Sequence, residues 1–317
     1  MTNDKMRRFI KTLLRICIVL FLAIGLWYGY SRAHHAFSPL QIRKLEDPNN
    51  GGDSLRVAAY NIAHGRGGVL GASNWDNKSK EDLLTRLDAI AEQISNANLD
   101  LIVLNEIDFS TSWSFNINQA EYLAQKCGFA YLLEQPNYLV SLPFYQLNFG
   151  NALLSKYPIV KAEPVYFEPY SSLESWFIGN HDGFVADVNL PGGLIQIVAV
   201  HLEYRDELTR VKAAKSIASL ANQGDMPLIA LGDFNSSPSG ILAGKENTMT
   251  YLFSEDFSPA LLDNPEHYTF PSQEPRLKID WILGKNATLS GGEVIRLAHS
   301  DHLMVTAEVL LNTSDKP

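Results

Sequence analysis

The sequence is poor in cysteine: among its 317 residues only Cys17 and Cys127 carry a thiol. Cys17 lies in an apolar N-terminal stretch, which argues against a disulfide within the folded domain and leaves the redox compartment undecided. The C-x-x-C and H-x-x-x-H spacings that are typical of zinc sites are also missing. The chain therefore offers neither a disulfide scaffold nor a zinc signature.

Basic residues are also scarce, with 26 Lys and Arg against 35 Asp and Glu and a formal net charge of -9. Nonspecific affinity for nucleic acids comes from clustered Lys and Arg that neutralise phosphates. The charge balance therefore argues against a general polyanion binder, although it allows an enzyme that handles one phosphodiester at a time.

An uncharged apolar run, 16–30, follows five basic residues near the N-terminus and ends in three aromatic ones: Trp27, Tyr28 and Tyr30. Basic flanks and a terminal aromatic belt are typical of a membrane segment, which needs about 20 apolar residues. We expect a signal anchor with its N-terminus inside. The alternative is a signal peptide that is cleaved near residues 31–33. Both place the remaining chain on the outer side of a membrane, either tethered or secreted.

The composition divides the chain into four segments. Residues 1–35 are the predicted anchor or signal peptide, and 36–54, rich in Pro, Asn and Gly, are a predicted linker. Residues 55–312 show no second linker and no repeat, so they are expected to form one domain. Residues 313–317 are a short tail.

Short β-rich runs outnumber helical patterns in that domain. Two helices are predicted, one after Ser79 and one after Asp206, because apolar residues follow the 3.6-residue period there. Strands are predicted at 56–62, 101–105, 151–155, 185–189, 195–201, 228–231, 279–283 and 305–311. This pattern favours an α/β fold with mixed sheets and helices on their outer faces.

Polar side chains stand where these apolar runs begin or end. They are Asn61, Glu106, His201, Asp233, Asn235, Asp280, Asp301 and His302. One such residue is normally a cap or a turn former. Eight at comparable positions suggest a site, because ligands of α/β proteins gather outside strand ends.

Several carboxylates at one edge would raise each other's pKa unless a cation offset their charge. The candidate ligands are rich in oxygen, which suits Mg²⁺ or Mn²⁺ better than Zn²⁺. Magnesium commonly binds through one or two carboxylates together with substrate phosphate oxygens. The site therefore points to the chemistry of phosphate esters.

Seven motifs carry a family resemblance, in this order: YNIAHGRG, NEID, GNALLSKYPI, VHLEYRDELTR, GDFNSSP, YTFPSQEPRLKIDWIL and SDHLMV. As an ordered set they resemble the endonuclease/exonuclease/phosphatase superfamily, with its deoxyribonuclease I-like fold, over residues 55–311. The resemblance implies a four-layer α/β/β/α sandwich with two mixed sheets. It also implies Mg²⁺-dependent hydrolysis of phosphodiesters or phosphomonoesters.

The resemblance also implies roles for individual residues. Glu106 corresponds to the main metal ligand, with Asn61 beside it and Asp301 completing the metal site. Asn61 is also expected to contact substrate.

Five further residues correspond to catalytic or substrate-binding positions. Asp233 is expected to orient or deprotonate the attacking water, and Asn235 to hold a phosphate oxygen. His302 is expected to bond the scissile phosphate or act as acid or base, with Asp280 orienting it. His201 would be a second imidazole that faces the phosphate.

The sequence departs from the family pattern at a few positions. No acid partner for His201 is identifiable, Val200 stands where Asn is frequent, and Asn105 stands where Gln is more frequent. The roles of His64 and His181 stay open between loop residues and residues that line the cleft.

The preferred function is an Mg²⁺-dependent (or Mn²⁺-dependent) phosphodiesterase that acts on lipid head groups or small phosphodiesters, and the protein is expected to be a monomer. The membrane segment favours lipid, and several aromatic residues could either reach an interface or cover the core rim: Trp113, Phe115, Phe144, Trp176 and Phe177. The alternatives are a nonspecific nuclease and a noncatalytic, membrane-tethered binding domain that keeps the fold.

Overall fold

The computed structural model describes residues 3–36, 40–47, 55–73, 79–238 and 247–310. Parts of the predicted linker, residues 311 and 312 of the predicted domain, and the predicted tail 313–317 lie outside these ranges. The helices are α1 Asn3–Ala36, α2 Lys80–Asn96, α3 Gln119–Cys127, α4 Ser172–Phe177, α5 Glu207–Ala221 and α6 Thr248–Ser254. The strands are β1 Gln41–Lys44, β2 Leu55–Asn61, β3 Leu101–Asp108, β4 Tyr131–Leu142, β5 Tyr145–Ser155, β6 Ile159–Val165, β7 Gly183–Leu190, β8 Gly193–His201, β9 Leu228–Asp233, β10 Ser258–Pro259, β11 Asp280–Lys285, β12 Thr288–Ile295 and β13 Met304–Leu310.

The strands form two mixed sheets. The first has the order β1-β4-β5-β3-β2-β13-β12, and the second has the order β10-β11-β9-β8-β7-β6. The pairs β2–β3 and β8–β9 are parallel, and their neighbours in each sheet are antiparallel.

Alternation along the strands decides which side chains lie between the sheets. In β2, Val57 and Ala59 pack against the second sheet, whereas Ala58 and Tyr60 point to the other face and pack with α2. In the second sheet, Val198 and Ala230 likewise face away from the first sheet and pack with α5 and α6. Because successive side chains point to opposite faces, strands covered on both sides are apolar throughout.

This arrangement is the predicted four-layer α/β/β/α sandwich, and the fold class is confirmed. The two predicted helices are present as α2 and α5. Each is capped as expected: the Ser79 side chain accepts a bond from Asp82 N, and the Asp206 side chain accepts one from Thr209 N.

One difference lies in the segment 36–54, which the composition predicts as a linker. Gln41–Lys44 forms β1 and pairs antiparallel with β4 at the edge of the first sheet. Its side chains are mostly exposed, so backbone hydrogen bonds rather than an apolar pattern hold it there. The sheet therefore begins before residue 55.

Helix α1 contains a stretch, Asp4–Ala33, that is long and apolar enough to cross a membrane, with a mean hydropathy of 2.3. No residue of its most apolar 18-residue window is buried in the domain. Among the described residues it is the one helix with these properties, and a signal sequence has the same ones. Length and composition therefore agree with either predicted role of the N-terminal segment.

Candidate active site

One edge of the sandwich collects the polar strand ends. The parallel pairs β2–β3 and β8–β9 end together, with Asn61 opposite Asn105 and His201 opposite Asp233. The antiparallel β11 starts at the same level, with Asp280 opposite Asp233. The predicted site residues on different strands are thus brought to one edge by topology.

Asn105 joins the two sheets at this edge. Its Nδ2 donates to Val200 O at 2.9 Å, and its Oδ1 accepts from Asp233 N at 3.0 Å. The backbones of β8 and β9 come close together here, and this needs a glycine at position 232. A Cβ at Gly232, which has φ 138°, would lie 2.0 Å from Val200 O. These contacts fix the position of Asp233 relative to the first sheet.

Asp280 and His302 form a buried pair. His302 Nδ1 lies 2.9 Å from Asp280 Oδ2 and 3.2 Å from Oδ1, so the carboxylate accepts the Nδ1 proton and leaves Nε2 facing the site. Burial by itself would lower the pKa of His302, but the negative charges of Asp280 and Asp233 outweigh it and raise the pKa. The imidazolium form is therefore favoured at neutral pH.

Asp233 lies at the centre of the cluster. Its Oδ1 accepts from Asn235 N at 2.8 Å, and its Oδ2 accepts from Asn61 Nδ2 at 3.2 Å. The Nε2 atoms of His201 and His302 lie 3.7 and 3.8 Å from Oδ2. Burial, together with the charge of Asp280, raises the pKa of Asp233, and His302 opposes this shift.

Glu106 stands beside Asp233 at a bulge of β3, in the left-handed region with φ 49°. Asn61 Nδ2 donates to Glu106 Oε1 at 3.2 Å and Arg66 Nη2 donates to Oε2 at 3.3 Å, while His64 Nε2 lies 3.4 Å from Oε2. Burial would raise the pKa of Glu106, but the positive groups around it, His64 first, lower the pKa to about 2. Glu106 is therefore a carboxylate at any physiological pH.

A second imidazole–carboxylate pair supports Glu106. The Nδ1 atom of His64 lies 2.8 Å from Asp108 Oδ1, which leaves Nε2 directed at Glu106. Burial opposes protonation, but Asp108 raises the pKa of His64. Sequence reasoning left His64 undecided and missed Asp108 and Arg66. The only sequence signal for the His64–Asp108 pair was that Asp108 lies in the motif NEID together with Glu106.

His201 is buried at the cluster, and its contacts with the carboxylates of the described residues are made at Nε2. Its Nε2 lies 3.9 Å from Glu106 Oε1, and its ring lies 4.8 Å from that of His181. Burial and then the neighbouring His181 lower the pKa of His201 to about 3. His201 is therefore a neutral imidazole in the protein by itself, with the His181 ring on one side and the carboxylates of Glu106 and Asp233 near its Nε2.

Asn235 and Asp301 flank the cluster. Asn235 has φ 49°, and its Nδ2 donates to Leu202 O at 2.9 Å, so one amide proton is already engaged. Asp301 Oδ1 lies 3.4 Å from Ser300 Oγ, and burial, with the charge of Glu106, raises the pKa of Asp301. Both predicted residues thus lie at this edge. Among the described contacts, no hydrogen bond joins Asp301 to Glu106.

The donor set fits a hydrated divalent cation. Asp233, Asp280 and His302 have ligand atoms within 4.8 Å of one another. However, Asp280 is fully buried and already paired with His302, whereas the Glu106 side chain is 23% exposed. A cation that keeps several waters needs a ligand that it can reach from solvent, and Glu106 is the more accessible of these carboxylates.

Aromatic rings line the cluster on two sides. Phe149 packs edge-on against His64 at 4.7 Å and stacks with Tyr138 at 4.8 Å between ring centroids. On the other side, Phe270 lies 4.7 Å from the His302 ring. Each of the two imidazoles therefore packs against an aromatic ring.

Comparisons with known proteins identify the family of this chain. A sequence model described as the Endonuclease/Exonuclease/phosphatase family matches residues 58–302. No curated protein gave a significant sequence match.

Three solved structures illustrate the similarity in fold. An endonuclease/exonuclease/phosphatase from Beutenbergia cavernae has a TM-score of 0.61 and 18% identity, covering 82% of this chain and 72% of its own. The human Nocturnin catalytic domain, solved with a bound sulfate anion, has a TM-score of 0.57 and 18% identity over 86% and 98%. A humanized D. rerio TDP2 has a TM-score of 0.55 and 15% identity over 81% and 99%.

At these identities the structural neighbours establish the fold alone, whereas the sequence match extends over most of the chain. It spans the motifs from the end of β2 to His302, including every strand end of the cluster. The predicted resemblance is confirmed, and so is the prediction of an enzyme that hydrolyses phosphoric esters. The chain belongs to the endonuclease/exonuclease/phosphatase family of phosphoester hydrolases.

Proposed function

We propose that this protein is a membrane-tethered phosphodiesterase that depends on Mg²⁺ or Mn²⁺ and acts on lipid head groups or small phosphodiesters. The observation that carries the proposal is the convergence of four groups at one edge: the Asp280–His302 pair, Asp233, Glu106 and Asn61. Phosphoryl transfer asks mainly for positioning and charge stabilisation, and this cluster supplies both.

Asp233 is the proposed base or orienting group for the attacking water. Hydrogen bonds from Asn61 and from the Asn235 backbone hold its carboxylate in one orientation. Its raised pKa brings it closer to the range in which a carboxylate accepts a proton effectively near neutral pH.

His302 is the proposed acid. Asp280 accepts the Nδ1 proton, so the Nε2 proton is available to a phosphate oxygen or to the departing alkoxide. The buried carboxylates keep the imidazole protonated until that proton is needed.

Glu106 and Asp301 are the proposed cation ligands, with Asn61 beside them. The Oδ1 atom of Asn61 accepts from Ala63 N at 3.0 Å, which leaves a second lone pair on that oxygen. When bound, the cation would supply positive charge that offsets the repulsion between the phosphate and the acids. His64 and Arg66 would hold the Glu106 carboxylate in place.

His201 and Asn235 are the proposed contacts for the nonbridging phosphate oxygens. A neutral His201 can donate from Nε2, and Asn235 retains a second amide proton beside the one given to Leu202 O. The sulfate in the human Nocturnin domain, a tetrahedral oxyanion like phosphate, supports binding of such a group in this fold.

Two features favour a lipid or a small diester over a nucleic acid. The net charge of -9 offers no general attraction for a polyanion. The apolar helix α1 would hold the domain beside lipid head groups, on the outer side of the membrane, with the protein acting as a monomer. Cleavage of the N-terminal segment would instead release the domain.

A substrate panel tests this proposal. The full-length chain in detergent is assayed with sphingomyelin vesicles, soluble inositol phosphates and supercoiled plasmid, each with Mg²⁺, with Mn²⁺ and with chelator. We expect cation-dependent turnover of the lipid or the small ester, and slower nicking of the plasmid. Fast plasmid nicking would assign a nuclease instead. The absence of turnover and of calorimetric Mg²⁺ binding would favour a noncatalytic domain.

A further inference from the structure

Five apolar side chains on and just before α4 are exposed to solvent. We call Tyr166, Tyr170, Leu173, Trp176 and Phe177 the α4 surface. Leu173 and Trp176 are exposed by 70% and 66%, and no residue of α4 is buried. Clustered exposed apolar groups are costly in water and normally mark a contact surface. Trp and Tyr are the side chains that favour the boundary between water and lipid.

The α4 surface is joined to the end of the apolar helix α1. Arg32, one residue before the end of the apolar stretch Asp4–Ala33, donates to three backbone carbonyls of the domain. Its Nη2 lies 3.0 Å from Ser175 O, its Nε lies 3.3 Å from Trp176 O, and its Nη1 lies 3.3 Å from Leu139 O. Two of these carbonyls belong to α4. The α4 surface therefore lies within one side chain of the point where α1 would leave a bilayer.

The same surface is joined to the candidate active site. Arg205 donates to Glu174 of α4 at 2.8 and 3.2 Å, and to Glu203 at 2.6 and 2.7 Å. Its guanidinium also lies 4.5 Å from the centre of the Tyr170 ring. Glu203 is buried and follows His201 by two residues. Two bidentate ion pairs thus connect α4 to the segment that carries a proposed phosphate ligand.

We propose that the α4 surface lies in the head-group layer of the membrane that α1 spans, and that it holds the active-site edge against that layer. This inference rests on the proposed function in two respects, that α1 stays in the chain as a membrane anchor and that the phosphoester comes from a lipid. The occupant of the surface is the bilayer interface itself. Continuity with α1 through Arg32 and the content of Trp, Tyr and Leu favour lipid over a second copy of the chain.

The position of Trp176 tests the docking without reference to activity. The full-length chain is reconstituted in phosphatidylcholine vesicles that contain lipids brominated at different acyl depths, and Trp emission is compared for wild type, Trp176→Phe and Trp27→Phe. Trp27 lies in α1 and is the positive control. The difference in emission between wild type and Trp176→Phe is the emission of Trp176. We expect the lipids with the shallowest bromines to quench this difference most.

Two results would overturn the docking. Emission from Trp176 that bromolipid leaves unchanged but aqueous iodide quenches would place the α4 surface in water. Emission that neither agent reaches would mean that protein, such as a second copy, covers it.

A kinetic comparison tests the consequence for the site. The double variant Leu173→Ser/Trp176→Ser should hydrolyse a vesicle-borne phosphodiester at least about tenfold more slowly, while its turnover of a soluble nitrophenyl phosphodiester stays unchanged. The matched control is Leu262→Ser, which is 67% exposed and follows β10 at the opposite edge of the second sheet. Equal losses on both esters, or equal losses in the control, would contradict the surface's role in catalysis. Shallow quenching of Trp176 without any lipid turnover would leave the docking intact and refute the proposed substrate.

Discussion

At the scale of single residues, burial and neighbouring charges give different pKa values to acids that lie a few ångströms apart. Burial and Asp280 raise the pKa of Asp233, whereas the positive groups beside Glu106 lower its pKa to about 2. The two acids therefore suit different tasks, one as a proton acceptor and the other as a permanent anion. Lys278, buried with Nζ 3.3 Å from Asp280 O, adds positive charge behind the cluster, and burial lowers its pKa to about 8.

Removing the charge of Asp280 should shift the pH dependence of activity. In Asp280→Asn the pKa of His302 falls, because burial still disfavours the imidazolium and its main counter-charge is gone. The rate depends on protonated His302, so it falls as pH rises through that pKa. We expect the alkaline limb of the pH–rate profile to move to lower pH, with kcat at neutral pH reduced by about 10- to 100-fold.

NMR titration of the His302 ring provides the direct measurement of that pKa. Asp225→Asn is the control, because Asp225 is exposed in the loop before β9, at the far end of that strand from the site. An unchanged alkaline limb in Asp280→Asn, with an unchanged ring pKa, would show that Asp280 does not set the protonation of His302.

The residues that sequence alone could identify are those at strand ends. Asp233 and His201 follow from the end of an apolar run and Asp280 from the start of one, because the topology brings these strand ends together. His64 and Asp108 could not be assigned, because their contact depends on a left-handed turn at Ala63 and His64 and on the bulge of β3. Neither feature has a periodic signal in the sequence.

At the scale of elements, the approach of β9 to β8 depends on one glycine. A Cβ at position 232 would lie 2.0 Å from Val200 O and 3.0 Å from Asn105 Oδ1, and the φ of 138° is unfavourable for other residues. Both neighbouring atoms belong to the contacts that join the two sheets. The absence of a side chain at Gly232 therefore allows both the packing of the two sheets and the position of Asp233.

Gly232→Ala should destabilise the domain by roughly 2 kcal/mol or more, because the new methyl group meets backbone rather than a mobile side chain. Thermal unfolding in detergent should show a midpoint lower by about 4–8 °C. Gly224→Ala is the matched control, since its Cβ would have no atom within 4 Å and its change should stay within about 0.5 kcal/mol. Equal midpoints for the two variants would mean that β8 and β9 can separate without cost.

Elements with strong periodicity were predictable, and short or polar ones were not. Helices α2 and α5 follow from caps and spacing. Strand β1 has no apolar alternation, and α4 has six residues and no buried face, so neither leaves a pattern. Trp176 and Phe177, which no predicted helix or strand includes, lie on α4, whose first turn is capped by the Ser171 side chain through Glu174 N.

At the scale of the whole molecule, two sheets with helices outside build a rigid edge, and an apolar helix precedes them. The sandwich explains why eight polar residues from distant parts of the sequence lie together. The formal net charge of -9 is the property of the whole molecule on which the proposed preference for a lipid or a small diester rests. Arg32 links the apolar helix to the domain through its bond to Ser175 O. A membrane anchor at α1 would therefore also hold the domain in a defined position.

The most direct test of the central claim is the turnover of bis(p-nitrophenyl) phosphate by wild type, Asp233→Asn, His302→Ala and the double variant, with Mg²⁺ and with chelator. We predict that chelator abolishes wild-type turnover, that added Mg²⁺ or Mn²⁺ restores it, and that each single variant loses about 10²- to 10⁴-fold in kcat. The double variant should lose little more than either single one, because the two groups act on the same step. Wild-type-like turnover in both single variants would contradict the claim that this edge is the hydrolytic centre.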